Sequence, residues 1–260
     1  MNCSRYPLNQ TVAIDAPGAG AMGAYLARPD TAPARGAVLV GMELFGLSAH
    51  VRDVCDRLAG AGYLAIAPDF YHRTSPGIEL PADEQGRARG FELLNQLTRS
   101  QTIDDIGATL HWINANAETD LAAMVGLSVG GHLAYLAATE FDLPAVSIFY
   151  GGWIPTTDLP LSRPVPTLAG TPRITGHVQM FLGTDDPLIP ATQRRQIDQA
   201  LSAAGIDHEL IEYPGVGHGF LCDRRPSFHP EAANDAWNRL LRLLDKSRRR
   251  RTSAQAAPRG

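Results

Sequence analysis

Short apolar runs rich in β-branched residues alternate along this chain with segments of helical period, and that alternation restricts it to a mostly parallel sheet covered by helices on both faces. Ala37 to Gly41, Tyr63 to Ala67, Ala122 to Gly126, Ala145 to Phe149, Val178 to Leu182 and His208 to Tyr213 read as strands. Ala49 to Ala61, about 87–97, 102–116, Gly130 to Ala138, Ala191 to Ala204 and Glu231 to Leu244 read as helices. The opening differs. Thr11 to Asp15 and Met22 to Arg28 flank Pro17-Gly18-Ala19-Gly20 and predict an N-terminal antiparallel hairpin on the sheet edge. Residues 72–86, rich in Pro, Gly and acidic side chains, predict an irregular excursion after a strand, where pocket walls are built. Residues 154–176 carry five prolines and predict a surface loop.

A chain of 260 residues with 44% hydrophobic content can bury one core, so a single α/β domain is expected over residues 1–245. Residues 246–260 are basic and polar without apolar period, and predict a solvated, disordered tail. The net charge of -4 lacks the basic excess that attracts phosphate backbones or anionic lipid, so neither nucleic acid nor membrane is an expected partner. Cys3, Cys55 and Cys222 are odd in number and widely spaced, which fits reduced thiols better than a disulfide framework or a zinc site. The first ten residues hold no apolar core of signal-peptide length, and no run approaches the roughly 18 apolar residues of a membrane span, so a cytoplasmic protein is expected.

Gly126-Leu127-Ser128-Val129-Gly130 fits G-x-S-x-G between a strand and a helix. A serine on so sharp a turn projects its hydroxyl at the carboxyl edge of the sheet, and the glycines remove side chains that would meet neighbouring backbone. Alone, the string fits equally a serine capping a helix. Partners follow in the order this motif needs. Gly183-Thr184-Asp185-Asp186-Pro187 comes after one later strand and Gly217-His218-Gly219-Phe220 after the next. His218 would take the serine proton and Asp186 would hold the imidazole tautomer, with Asp185 as the alternative acid.

Other strings carry a family likeness. Met42-Glu43-Leu44-Phe45-Gly46-Leu47, His50-Val51-Arg52-Asp53 and Pro68-Asp69-Phe70-Tyr71, together with the elbow, acid and histidine loops, resemble the dienelactone hydrolase family of the α/β-hydrolase superfamily from about residue 11 to 245. The resemblance implies the α/β-hydrolase fold, cleavage of a small-molecule ester or lactone through an acyl-enzyme, and no cofactor or metal. It also implies Glu43 beside the nucleophile, an oxyanion hole from the Leu44 and Val129 backbone N–H groups, and a pocket that includes Phe45 and Tyr71. A solvated carboxylate at a strand end is the plainer reading of Glu43.

The chain departs from the family pattern at informative places. The best-known members carry cysteine where this chain has Ser128, and a serine cannot be pre-ionised by a glutamate. Members acting on dienelactone hold its carboxylate with two arginines and a tyrosine. Arg87 and Phe91 align with the first arginine and the tyrosine, and Cys222 stands where the second arginine would, with Arg224 and Arg225 nearby as substitutes. A thiol cannot replace a bidentate arginine, so dienelactone is not expected to be the best substrate. An acyltransferase or thioesterase would use the same triad, and a non-catalytic binder on this fold would not need it.

Two signals point elsewhere and are outweighed. Gly18-Ala19-Gly20-Ala21-Met22-Gly23 fits a dinucleotide fingerprint, but a strand-like segment and Pro29 follow where a helix must open. His72, His177, His208 and His229 lack metal-ligand spacing and are expected at the surface or in loops.

Overall fold

The computed structural model describes residues 9–30, 32–117, 119 and 122–256, the side chains of 251–256 excepted. Eight strands form one sheet: β1 (Asn9–Ala16), β2 (Gly20–Ala27), β3 (Ala37–Gly41), β4 (Leu64–Pro68), β5 (Ala122–Leu127), β6 (Ala145–Phe149), β7 (His177–Gly183) and β8 (His208–Tyr213). Their order is β1-β2-β4-β3-β5-β6-β7-β8. The hairpin β1-β2 is antiparallel and joins β4 antiparallel, while β3 through β8 run parallel. The central strands β3, β4, β6 and β7 are buried at every residue, as strands covered on both faces must be; the edge strand β1 alternates exposed and covered positions.

Among the described residues six α-helices connect and cover the strands: α1 (Ala49–Gly60), α2 (Glu84–Leu94), α3 (Arg99–Asn116), α4 (Val129–Glu140), α5 (Ala191–Ala203) and α6 (Pro230–Ala256). Helices α1 and α6 share one face, where the Arg57 guanidinium lies 3.8 Å from the centre of the Trp237 ring. Helices α3, α4 and α5 cover the other. Local chemistry sets the starts of α2 and α3: Asp83 accepts from the Gly86 amide at 2.8 Å, and Thr98 caps from the position before α3. None of the described helices is long and apolar enough to cross a membrane.

Three expectations fail here. Helix α6 does not stop near Leu244 but continues through the basic run to Ala256, so the expected disordered tail is helical as far as it is described; residues 257–260 lie outside the described residues. Arginine and lysine are good helix formers, and this stretch keeps one face docked: Ser247 is buried, and Lys246 and Arg250 approach Asp207 at 4.0 and 3.6 Å. His177 opens β7 and is buried against Asp207 at 3.1 Å, neither at the surface nor in a loop; His72 lies in the loop after β4, as expected, and is buried there against Asp105 at 3.1 Å.

The proline-rich segment 154–176 is likewise no surface loop. It forms two 3-10 turns, Pro160–Ser162 and Thr167–Arg173, and buries Leu159, Leu161 and Ile174. Prolines fix its backbone, and α4 supplies the anchors. Tyr135 and Thr171 share a hydrogen bond of 2.6 Å, and His132 binds Thr167 at 2.7 Å and the Gly152 carbonyl at 2.9 Å. Burial pushes the His132 imidazole down to about 3, against the opposing effect of its bond to Gly152. The neutral ring is thus built into the fold, whereas the unfolded chain takes up a proton below pH 6.5. Between about pH 6.5 and 3 the unfolded state binds more protons at this site, so stability falls as pH falls, by up to about 1.4 kcal/mol per pH unit. In urea titrations across this range, His132→Gln is expected to lose stability with acid less steeply than wild type; parallel curves would refute the assignment.

Candidate active site

The site stands at the carboxyl edge of the parallel strands, where β3, β5, β6, β7 and β8 each end in a loop that reaches it. After β5, Ser128 adopts φ 54° and ψ −113°, a conformation that L-residues rarely hold. Its amide donates to the Phe149 carbonyl at 2.9 Å, and the Gly130 amide donates to Met42 at 2.9 Å, which ties the elbow to the ends of β6 and β3. The glycines are sterically required: a Cβ at Gly126 would lie 2.0 Å from the Gly130 oxygen, and one at Gly130 would lie 2.2 Å from the Gly41 oxygen.

The loops after β7 and β8 bring the partners. Ser128 Oγ lies 2.8 Å from His218 Nε2, and His218 Nδ1 lies 2.7 Å from Asp186 Oδ2. The other oxygen of Asp186 accepts from the Leu188 amide at 2.9 Å, which fixes the carboxyl group in its buried position. Asp185 faces solvent and is engaged by Thr184. With the Nδ1 proton directed at Asp186, Nε2 is left to accept the Ser128 proton.

Glu43 is 1% exposed, so it is not the solvated strand-end carboxylate that a plain reading suggests. One oxygen is ion-paired with Arg225, and the other accepts from the Tyr150 hydroxyl at 3.3 Å. The Arg225 guanidinium also lies over the Phe45 ring at 4.8 Å. Burial alone would push the Arg225 guanidinium down, but the Glu43 carboxylate and its hydrogen bond carry it above the ordinary arginine value. Burial, then the nearby Glu43 charge, pushes the Tyr150 hydroxyl well up, so it stays protonated and donates. Tyr150 also packs its ring edge-on against His218, with centroids 5.0 Å apart.

A cavity of about 450 Å3 opens beside Ser128 and His218, within the usual size of small-molecule sites. Of the residues singled out in the sequence, Glu43, Leu44, Phe45, Arg87, Phe91, Ser128, Val129 and His218 border it, with Asp186 behind the histidine. Val129 opens α4, so its N–H has no acceptor within the helix. Arg87 is exposed and has no ion pair among the described residues.

Tyr71 and Cys222 do not border the cavity. Tyr71 is fully buried, and its hydroxyl donates to the Leu44 carbonyl at 3.1 Å, so it props the loop from behind. The turn that bonds the Cys222 amide to Gly219 folds the thiol inward, where burial pushes it up and away from reactivity. Arg225, three residues on, reaches the cavity instead, while Arg224 pairs with Asp53 at 2.7 Å. Sequence reasoning missed Trp153 and Leu188. Both lie just past the carboxyl ends of strands, and Trp153 follows Gly151-Gly152, a placement that could have marked it.

This sheet, with a serine elbow after β5 and its partners on the loops after β7 and β8, defines an α/β-hydrolase. Comparison with known proteins narrows the class. The profile of the Dienelactone hydrolase family matches residues 22–247. A carboxymethylenebutenolidase of Pseudomonas sp. (strain P51) is 31% identical over 242 residues, covering 92% of this chain and 96% of its own length. A Synechocystis sp. protein provisionally named as the same enzyme is 36% identical over 222 residues, 85% of this chain and 89% of its own. A Klebsiella pneumoniae crystal structure, provisionally named a dienelactone hydrolase, superposes with a TM-score of 0.82 at 30% identity, covering 91% of this chain and 98% of that one. The chain belongs to the dienelactone hydrolase family.

Proposed function

We propose that the protein hydrolyses small carboxylic esters or lactones through an acyl-enzyme on Ser128, as a cytoplasmic enzyme. The observation that carries this reading is the unbroken hydrogen-bonded line from Ser128 through His218 to the buried Asp186, at the edge of the cavity. The names of the relatives, carboxymethylenebutenolidase and dienelactone hydrolase, agree with it.

In this mechanism His218 Nε2 takes the Ser128 proton as Oγ attacks the carbonyl carbon. Asp186 holds the ring and stabilises the imidazolium. The oxyanion that forms is met by the Leu44 and Val129 amides; losing one such donor costs about 3 kcal/mol in the barrier. His218 then returns the proton to the departing alkoxide, which leaves as an alcohol or, from a lactone, stays tethered to the acyl group. Water, deprotonated by the same imidazole, releases the acid and restores the serine.

Glu43 has no part in proton transfer in this scheme, because its two oxygens are engaged by Arg225 and Tyr150. Its pairing also neutralises Arg225, whereas Arg87 on the cavity wall has no ion pair among the described residues. A carboxylate held by two arginines is therefore not provided for, and dienelactone is expected to be a poor substrate beside uncharged esters.

A fluorophosphonate probe tests the nucleophile. The folded wild-type protein is expected to label covalently at Ser128, as read by intact mass, and a folded sample that stays unlabelled would favour a binding protein. A panel of esters, lactones and acyl thioesters, with and without added alcohol acceptors, then separates hydrolysis from acyl transfer through kcat/KM.

A further inference from the structure

The cavity has an aromatic wall that neither the proton relay nor the oxyanion amides require. Phe91 of α2 and Trp153 of the loop after β6 meet edge to face, with ring centroids 6.2 Å apart, and both border the cavity beside Ser128. Gly90 allows α2 to come this close, since a Cβ there would lie 2.6 Å from the Leu44 side chain. Trp153 is held at φ 59°, a left-handed conformation costly for a bulky residue. Strain of this kind persists only where the surroundings impose it.

The surroundings that impose it are identifiable. The Gly152 carbonyl, immediately before Trp153, accepts from His132 Nδ1 at 2.9 Å. A carbonyl can only accept, so Nδ1 carries the proton, and Nε2 of the neutral ring accepts from Thr167 at 2.7 Å. Downstream, the Trp153 carbonyl accepts from the Thr156 amide at 3.2 Å, and the buried Ile154 binds Leu168 through its carbonyl at 3.0 Å. A fully buried histidine with no place in the reaction thus clamps the backbone that presents the indole.

We propose that Trp153 and Phe91 form the specificity subsite for a planar aromatic ring of the substrate, and that His132 is the positioning residue that holds Trp153 against it. The inference rests on the ester-hydrolase reading and names its substrate class: esters carrying an aromatic ring on either the acyl or the alcohol side. A ring packed against this indole and phenyl pair gains offset and edge-on contacts that an open alkyl chain cannot match.

Three substrates separate the sides of the ester: vinyl acetate without a ring, vinyl benzoate with one on the acyl side, and phenyl acetate with one on the alcohol side. Because each is compared with itself across enzymes, intrinsic reactivity cancels. Trp153→Leu is expected to lose at least tenfold in kcat/KM for one of the two aromatic esters and less than threefold for vinyl acetate; the ester that suffers tells which side the ring occupies. His132→Gln is expected to raise KM for that same ester at least threefold with kcat within twofold, and to leave fluorophosphonate labelling at the wild-type rate. A merely structural histidine would lower active-enzyme content, and so kcat, for all three substrates alike. Equal losses on all three, or no change on either aromatic ester, would overturn the subsite. A wild-type protein inert toward every ester and toward the probe would instead sink the hydrolase reading, and this inference with it.

Discussion

Replacing Ser128 by alanine is expected to lower kcat by about six orders of magnitude, by analogy with other serine triads. The physical ground is that, among the described residues, Ser128 is the side chain hydrogen-bonded to the His218 acceptor nitrogen. Cys222, the cavity's nearest thiol in sequence, is folded away into the core. The loss should not reach the uncatalysed rate, because oxyanion amides and pocket binding survive and still supply about 10³- to 10⁴-fold over water. The fold should survive as well. Among the described residues Ser128 Oγ bonds His218 alone, and alanine at φ 54° bears much the same strain as serine. Single-turnover assays together with a melting curve check both halves. An alanine variant that melts within a few degrees of wild type and keeps more than one part in a hundred of its activity would require another nucleophile.

Asp186→Asn is expected to lower kcat by about four orders of magnitude while the protein stays folded. The amide keeps the shape of the carboxyl group and can still accept from Leu188 through its oxygen, so the loop is preserved. The cost arises at His218. An NH2 group turned toward Nδ1 favours the tautomer with the proton on Nε2, which cannot take the serine proton, and the imidazolium formed during attack loses its negative neighbour. The paired control is Asp185→Asn, which alters an exposed side chain engaged by Thr184 and should stay within about threefold of wild type. If instead the change at 185 is crippling and the change at 186 mild, the roles of the two acids are reversed. Together these variants turn an ambiguity of adjacent aspartates in the sequence into a measured difference.

The Glu43–Arg225 pair is the ground for proposing that Arg225, although it borders the cavity, does not serve as a second substrate-binding arginine. Taking a carboxylate and a guanidinium out of water is costly unless each is fully engaged, and here Tyr150 and the Phe45 face complete the shell. A charge so engaged is a poor recruit for a substrate anion. This is the physical reason to expect uncharged esters, and it depends on a contact between residues 182 positions apart.

Much of the architecture was legible without coordinates. The apolar runs identify the parallel strands because a strand covered on both faces must be apolar throughout, and the pattern around Gly18 and Gly20 identifies the hairpin because no helix can follow it. The order serine, acid, histidine was legible for a related reason: in a doubly wound sheet each loop at a carboxyl strand end arrives at the same edge. Tertiary structure alone decided what depends on distant packing. It turned the proline-rich 154–176 segment inward, since α4 offers His132 and Tyr135 as anchors that no local pattern announces. It kept the basic run helical to Ala256 by docking one face beside Asp207. It folded Cys222 away, brought Arg225 onto Glu43 and set Trp153 in the wall. Periodicity reports which face of an element is dry, a property each residue shares with its neighbours in the chain. Which side chain meets which across the sheet edge is set by loop geometry and burial, and these exist only once the chain has closed on itself.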